Sequence, residues 1–255
     1  MDMLIIDSHC HAGKGDGFTG PWDTFAPLDT FIARSRKAGI NKTVLFAAFH
    51  TNYAKANEDV ARIVNKHPEQ FMGYVFLHAE RDKGNIYNMV KRGVEEFGFC
   101  GIKCHRYDAR ITREICDVAQ HFSLPVLYDV LGEVSSVELL ATAYPAVNFI
   151  VPHLGSFADD WKVQLSCIDF LARHKNIFTD TSGIKRFDLL EMAYKRAGAQ
   201  KILFGTDGPW LHPKLELAKI WELNPTEEEA ALMLHKNFLR LTATARNRIA
   251  EKKAA

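Results

Sequence analysis

Two histidines separated by a single residue, His9 and His11, close a short apolar run near the start of the chain. On an extended strand, residues i and i+2 point to the same side, so both imidazoles can meet one metal ion. His-x-His by itself is a weak signal. It gains weight because other chemistry-bearing residues also follow apolar runs: His50, His78, the Lys103-Cys-His105-Arg106 group, Asp129, His153, Asp180 and Asp207. Of the eleven histidines, six fall at such ends and His212 lies just beyond the last, a split that scattered surface histidines would not produce.

The elements that must position these residues follow from the hydrophobic pattern. Eight short apolar runs can be counted: Leu4–Ser8, Thr43–Phe49, Phe71–Leu77, Phe99–Cys104, Pro125–Asp129, Val147–Pro152, Ile177–Thr181 and Lys201–Thr206. Amphipathic helical stretches separate them, among them Leu28–Ala38, Ala54–Lys66, Asn85–Glu96, Arg113–Phe122, Val134–Tyr144, Trp161–Arg173 and Leu189–Arg196. This is the alternation of βα units on a parallel sheet. Eight units in 255 residues give about 32 residues each, close to the length of a βαβ segment. The expected fold is therefore α/β, a (β/α)8 TIM barrel, with additional C-terminal helices from Thr226-Glu-Glu-Glu and from beyond Leu241. No linker or repeat divides the chain, so residues 1–255 are expected to form one domain. In such a barrel the chemistry gathers at the C-terminal strand ends, where the polar residues fall.

Composition narrows the function classes. Lys and Arg number 32 against 31 for Asp and Glu, and a net charge of +1 offers no broad field for a polyanion, so nucleic acid is not an expected partner. No segment approaches the ~20 apolar residues of a membrane span, and the N-terminus lacks a leader pattern, so a cytoplasmic protein without a membrane partner is expected. The five cysteines are scattered and odd in number, which reads as reduced, buried thiols. The expected partner is a small-molecule substrate, with homo-oligomer formation left open.

The motifs Ile6-Asp-Ser-His-Cys-His11, Ala38-Gly-Ile-Asn-Lys-Thr-Val-Leu45, Gly101-Ile-Lys-Cys-His105, Leu124-Pro-Val-Leu127, His153-Leu-Gly155, Asp180-Thr-Ser-Gly183, Ile202-Leu-Phe-Gly-Thr-Asp207 and Asn237-Phe-Leu-Arg-Leu241 occur in this order across almost the whole chain. Together they resemble the amidohydrolase superfamily, in the amidohydrolase-related branch that includes aminocarboxymuconate semialdehyde decarboxylase. The resemblance implies that His9, His11 and Asp207 bind or face a divalent metal, commonly zinc, and that His153 stands beside it as a polarising or proton-transferring group. A carboxylate next to a metal with an open position can take a proton from bound water, which makes Asp207 the candidate base.

The chain departs from the family at one place. The strand after Leu124-Pro-Val usually ends in a histidine ligand, and here it ends in Asp129. As a ligand, Asp129 would bring a harder oxygen donor and move preference from zinc toward manganese or magnesium. As a neighbour it would only orient a ligating histidine. Lys103, His105 and Arg106 are read as a grip on a substrate carboxylate, Arg106 through a bidentate contact. A carboxylated Lys103 bridging two metals is the less favoured reading. Asp7 and Asp180 are read as supporting rather than catalytic. Trp22, Phe25, Trp161 and Trp210 are candidate pocket walls, and Gly13-Lys-Gly-Asp-Gly17 reads as a mobile loop over the mouth.

The expected activity is metal-dependent hydrolysis of a C–N or C–O bond in a small carboxylated or cyclic compound. The alternatives are non-oxidative decarboxylation of a small aromatic or muconate-like acid, a TatD-type metal nuclease, and a non-catalytic ligand-binding barrel. The nuclease reading draws on the same Asp7 and Thr206 motifs but lacks an acidic motif on strand four, where Gly101-Ile-Lys stands.

Overall fold

The structure is a computed structural model that describes residues 3–16 and 28–254. Its strands are β1 (Ile6–Ala12), β2 (Lys42–Ala47), β3 (Phe71–Gly73), β4 (Val75–Phe76), β5 (Ile102–His105), β6 (Val126–Asp129), β7 (Phe149–Val151), β8 (Ile177–Asp180) and β9 (Ile202–Leu203). All ladders are parallel, running β1-β2-β3 and β4-β5-β6-β7-β8-β9. The two ladders form one closed barrel. Tyr74 joins β3 to β4 while its N–H still bonds Leu45 O at 3.0 Å. At the other seam the Ser8 N–H bonds Phe204 O at 3.0 Å, the His11 N–H bonds Gly208 O at 2.6 Å, and Cys10 bridges Gly208.

Helices α1 (Leu28–Lys37), α2 (Tyr53–Lys66), α3 (Ile86–Glu95), α4 (Arg113–Phe122), α5 (Val134–Ala143), α6 (Trp161–Arg173), α7 (Phe187–Ala197) and α8 (Pro213–Glu222) alternate with the strands. Their starts carry the expected local chemistry. Asn52 accepts from the Lys55 N–H at the head of α2, and Asp160 accepts from the Lys162 and Val163 N–H groups at the head of α6. Thr226 and Glu229 form a capping box that opens α9 (Glu227–Ala231) where the sequence places it. A π-helical turn leads to α10 (Asn237–Leu241), and α11 (Ala243–Ala254) ends the described chain. Buried Asn237 donates to Ala199 O and Ile202 O, both at 2.8 Å, and so clasps the start of β9.

Each of the eight apolar runs contains strand, the third divided at Tyr74 into β3 and β4, and the largest shifts of extent fall in the first and last runs. The first strand runs on through Asp7-Ser-His-Cys-His11, because those polar groups are satisfied inside the barrel and the whole segment is buried. The last shrinks to Ile202–Leu203, because Phe204 bonds Met233 O instead of a strand neighbour. No helix among the described residues is long and apolar enough to cross a membrane.

Candidate metal centre

His9 and His11 lie side by side on β1, with ring centroids 5.8 Å apart. The outer nitrogen of each ring is already engaged. His9 Nδ1 donates to Asp180 Oδ2 at 2.8 Å, and His11 Nδ1 donates to Ala47 O at 2.9 Å. A histidine that gives its Nδ1 proton to such a partner is free to turn an Nε2 lone pair toward a metal. Both Nε2 atoms face Asp207 Oδ1, at 3.3 and 3.8 Å, and these ligand atoms lie within 4.8 Å of one another. Two imidazoles and one carboxylate thus converge from opposite ends of the sequence in a donor set that fits one divalent ion.

Electrostatics sharpen the fit. Burial works against a charge on Asp207, but the hydrogen bond and charge of His9 and the charges of His153 and His11 hold the carboxyl well below its usual range. Burial likewise opposes protonation of His9, yet Asp180 and Asp207 raise its pKa. His9 thus lies between two carboxylates, a place that favours positive charge. His11 is pushed well below the ordinary histidine range by burial, then by Lys103. Two supports fix this geometry. Asp7 accepts from the His9 N–H at 3.1 Å, from the Thr206 N–H at 3.0 Å and from Thr206 Oγ1 at 2.7 Å, tying β1 to the segment that carries Asp207. Gly205 passes so close that a Cβ there would lie 3.0 Å from His9 Cβ and 3.1 Å from Asp180 Cγ. Asp7 and Asp180 therefore support the site, as the sequence reading had them.

A second group stands across the cavity. Asp129, at the end of β6, is buried, and its Oδ2 lies 3.1 Å from His105 Nε2 and 3.4 Å from His153 Nε2. Its Oδ1 accepts from the Leu131 N–H at 3.0 Å. The His105 Nδ1 accepts from the Tyr107 N–H at 3.0 Å, so its ring proton is on Nε2 and is given to Asp129. The His153 Nδ1 donates to Ser182 O at 2.6 Å, so with Nε2 against a carboxylate both ring nitrogens act as donors. Burial would lower the His153 pKa, but the Asp129 hydrogen bond and charge push it up to about 9. Conversely, burial opposes charge on Asp129, and His105 and His153 hold it well below the usual carboxylate range. Ser182 links the two groups: its Oγ donates to Asp180 Oδ1 at 2.5 Å and lies 3.1 Å from His153 Nδ1 and 3.3 Å from His9 Nδ1.

These residues line a cavity of about 240 Å³ together with Lys103 and an apolar wall of Phe49, Leu131, Phe157, Ala158 and Trp210. The structure brings His9, His11, Lys103, His105, Asp129, His153 and Asp207 to one cavity. Two expectations are corrected. Arg106 does not line the cavity; its Nε pairs with Glu133 at 2.9 Å beside Arg110, because it lies beyond β5 where Glu133 offers a solvated partner. Asp129 stands outside the group of converging metal donors, because three N–H groups already occupy its oxygens. Trp210 lines the wall, whereas Trp161 is half exposed and does not. Trp22, Phe25 and Gly17 lie outside the described residues. Phe157 and Leu131 were not singled out from sequence, since neither carries a chemical signal of its own. Ser182 was legible only as part of Asp180-Thr-Ser-Gly183.

The amidohydrolase family matches residues 6–241, and the chain belongs to that family. Among curated proteins nothing matches significantly. Solved structures of similar fold include 2,6-dihydroxybenzoate decarboxylase from Rhizobium, 15% identical over 94% of this chain and 99% of that one, with a TM-score of 0.72. They also include 5-carboxyvanillate decarboxylase from Sphingomonas paucimobilis, 11% identical over 94% and 99%, with a TM-score of 0.74. A dihydroxybenzoic acid decarboxylase from Polaromonas, with bound manganese and the inhibitor 2-nitroresorcinol, is 17% identical over 94% and 97%, with a TM-score of 0.72. At these identities the likeness establishes the fold, an α/β TIM barrel.

Proposed function

We propose that this protein is a metal-dependent, non-oxidative decarboxylase of a small aromatic acid. One observation carries the reading: beside the metal donors His153 gives Nδ1 to Ser182 O and sets Nε2 against Asp129, the arrangement of a proton-donating ring, and among the described residues both carboxylates lining the cavity are engaged. Hydrolysis needs a base to draw a proton from water, whereas replacing a carboxylate by hydrogen needs a donor to carbon. Asp207, the base candidate from sequence, is taken up among the donors, and the oxygens of Asp129 are occupied. The decarboxylases among the solved structures of similar fold support the same choice.

His9, His11 and Asp207 would hold the ion, which supplies a fixed positive charge that binds and orients the acid's oxygen atoms. Two imidazoles and a carboxylate suit zinc or manganese better than magnesium, which favours oxygen. Phe49 and Trp210 flank the ring and keep water away. His153 gives its proton to the ring carbon that carries the carboxylate, and the C–C bond then breaks and carbon dioxide departs. Asp129 keeps His153 charged until that moment, and solvent restores the proton afterwards.

The test is elemental analysis of the purified protein, then incubation of the metal-loaded protein with a panel of hydroxylated benzoic acids, lactones and amides. Release of carbon dioxide from an acid with about one ion per chain is the expected result. Hydrolysis of a lactone or amide without carbon dioxide release would replace this reading with the hydrolase one.

A further inference from the structure

Lys103 has no part in the chemistry above, yet it is the most costly residue in the cavity. It sits on β5 between Phe76 and Leu127 in the ladder, is fully buried, and its Nζ has no hydrogen-bond partner among the described residues. The Phe46 ring, with its centroid 5.0 Å from Nζ, is a weak substitute for a hydrogen-bonded anion. Burial lowers the Lys103 pKa, against the opposing charges of Asp129, Asp207 and Asp180, and none of these carboxylates accepts a hydrogen bond from it. A buried amino group left this way calls for an acceptor that the protein does not provide. Lys103 lines the cavity, so the acceptor can be an atom of the substrate.

The substrate carboxylate is the poorer choice for that acceptor. During decarboxylation negative charge leaves the carboxylate and moves into the ring, so a cation gripping the carboxylate would stabilise the ground state more than the transition state. A cation at a ring oxygen does the reverse. We propose that Lys103 is a catalytic residue that binds an oxygen on the substrate ring other than the carboxylate and holds the negative charge that collects there. The carboxyl-bearing carbon first takes the His153 proton with a pair supplied by the anionic ring oxygen, which becomes a carbonyl. The C–C bond then breaks, its electron pair returns through the ring to this oxygen, and carbon dioxide leaves, with no oxidant or reductant involved. The inference rests on the decarboxylase reading and sharpens it: the substrate is an acid whose hydroxyl or carbonyl oxygen is conjugated with the carboxyl-bearing carbon. At about 240 Å³ the cavity lies below the ~300 Å³ of sites for drug-sized ligands, which suits a single ring.

The test uses 4-nitrophenol, whose absorbance reports its ionisation, titrated below its own pKa into the protein as purified and after chelator treatment. Wild type is expected to bind it as the coloured phenolate in both forms. Lys103→Met should lose that signal by ~10-fold or more, with kcat for the acid falling further than KM rises, and Lys103→Arg should retain part of it. The inference is overturned if chelator-treated wild type binds the neutral phenol or does not bind at all. It is equally overturned if Lys103→Met keeps the phenolate signal. Because His153 also lines the cavity, a variant is needed to assign the signal to Lys103, and should Lys103→Met misfold, Lys103→Gln in the same titration decides the matter. Failure of every acid to release carbon dioxide would remove the decarboxylase reading and with it the catalytic step, while the phenolate signal reports the anion site separately.

Discussion

Two carboxylates line the cavity, and they differ in what already surrounds them. Asp207 and Asp129 both follow barrel strands, and both are held well below the ordinary carboxylate range. Among the described residues Asp207 is approached by the Nε2 atoms of His9 and His11, partners that an ion can displace or share. Asp129 is wrapped by the Leu131 N–H, a His105 locked by Tyr107 into donating, and His153. An unsaturated carboxylate beside imidazole lone pairs is a metal ligand in waiting. A saturated one can only hold its donors in place, and in doing so it keeps a proton on His153.

The most severe way to break this comparison is to remove the open side. His9→Ala with His11→Ala, or Asp207→Asn, should retain the fold, bring metal content from about one ion per chain to near zero, and lower turnover by ~100-fold or more. Circular dichroism, elemental analysis and kinetics on the same preparations check it. Full metal content in the double variant would refute the site.

On the closed side the expected effect is smaller and of a different kind. With His153 acting as an acid charged up to about pH 9, wild-type turnover should fall as pH rises through that value. Asp129→Asn removes the charge responsible, so the alkaline limb should move down toward ~6.5 and the rate at pH 8 should drop by about 30-fold, with metal content unchanged. Loss of metal in this variant would make Asp129 a ligand after all, and an unmoved limb would show that Asp129 does not keep His153 charged.

A subtler test leaves both carboxylates alone. Asp180→Asn weakens the hold on the His9 Nδ1 proton and should reduce metal affinity by about 10- to 100-fold for zinc and manganese alike, read by competition titration. A change confined to one metal would mean that Asp180 does more than orient the ring. The smallest effect is expected from Arg106→Ala, whose partly exposed pair with Glu133 should alter stability by no more than ~1 kcal/mol and turnover hardly at all. A large rise in KM there would restore the substrate-gripping role that its position beside His105 suggested.

How much of this was legible in the sequence depends on how local each signal is. His9 and His11 were readable because two residues of strand spacing suffice to aim both rings. The barrel was readable because eight apolar runs alternate with helices, and the runs erred only where tertiary partners intervened, as at Phe204. The function of Asp129 was not, because it depends on which nitrogen of His105 carries a proton, and a backbone N–H two residues further on decides that. Lys103 and Arg106 looked equivalent as neighbouring cations at one strand end. Only the closed barrel buries the first and leaves the second to Glu133.

The Asp7 clamp on Thr206 has a consequence in time. It joins residues 199 apart in sequence, and His9 and Asp207 meet across the same seam. Contacts of such separation form late, since the loop they close is nearly the whole chain. During synthesis the first strand therefore emerges with its two histidines long before their carboxylate partner exists. Until the last strand arrives, an ion picked up by the nascent chain would meet two imidazoles alone, and the proposed donor set would be complete only once the barrel closes.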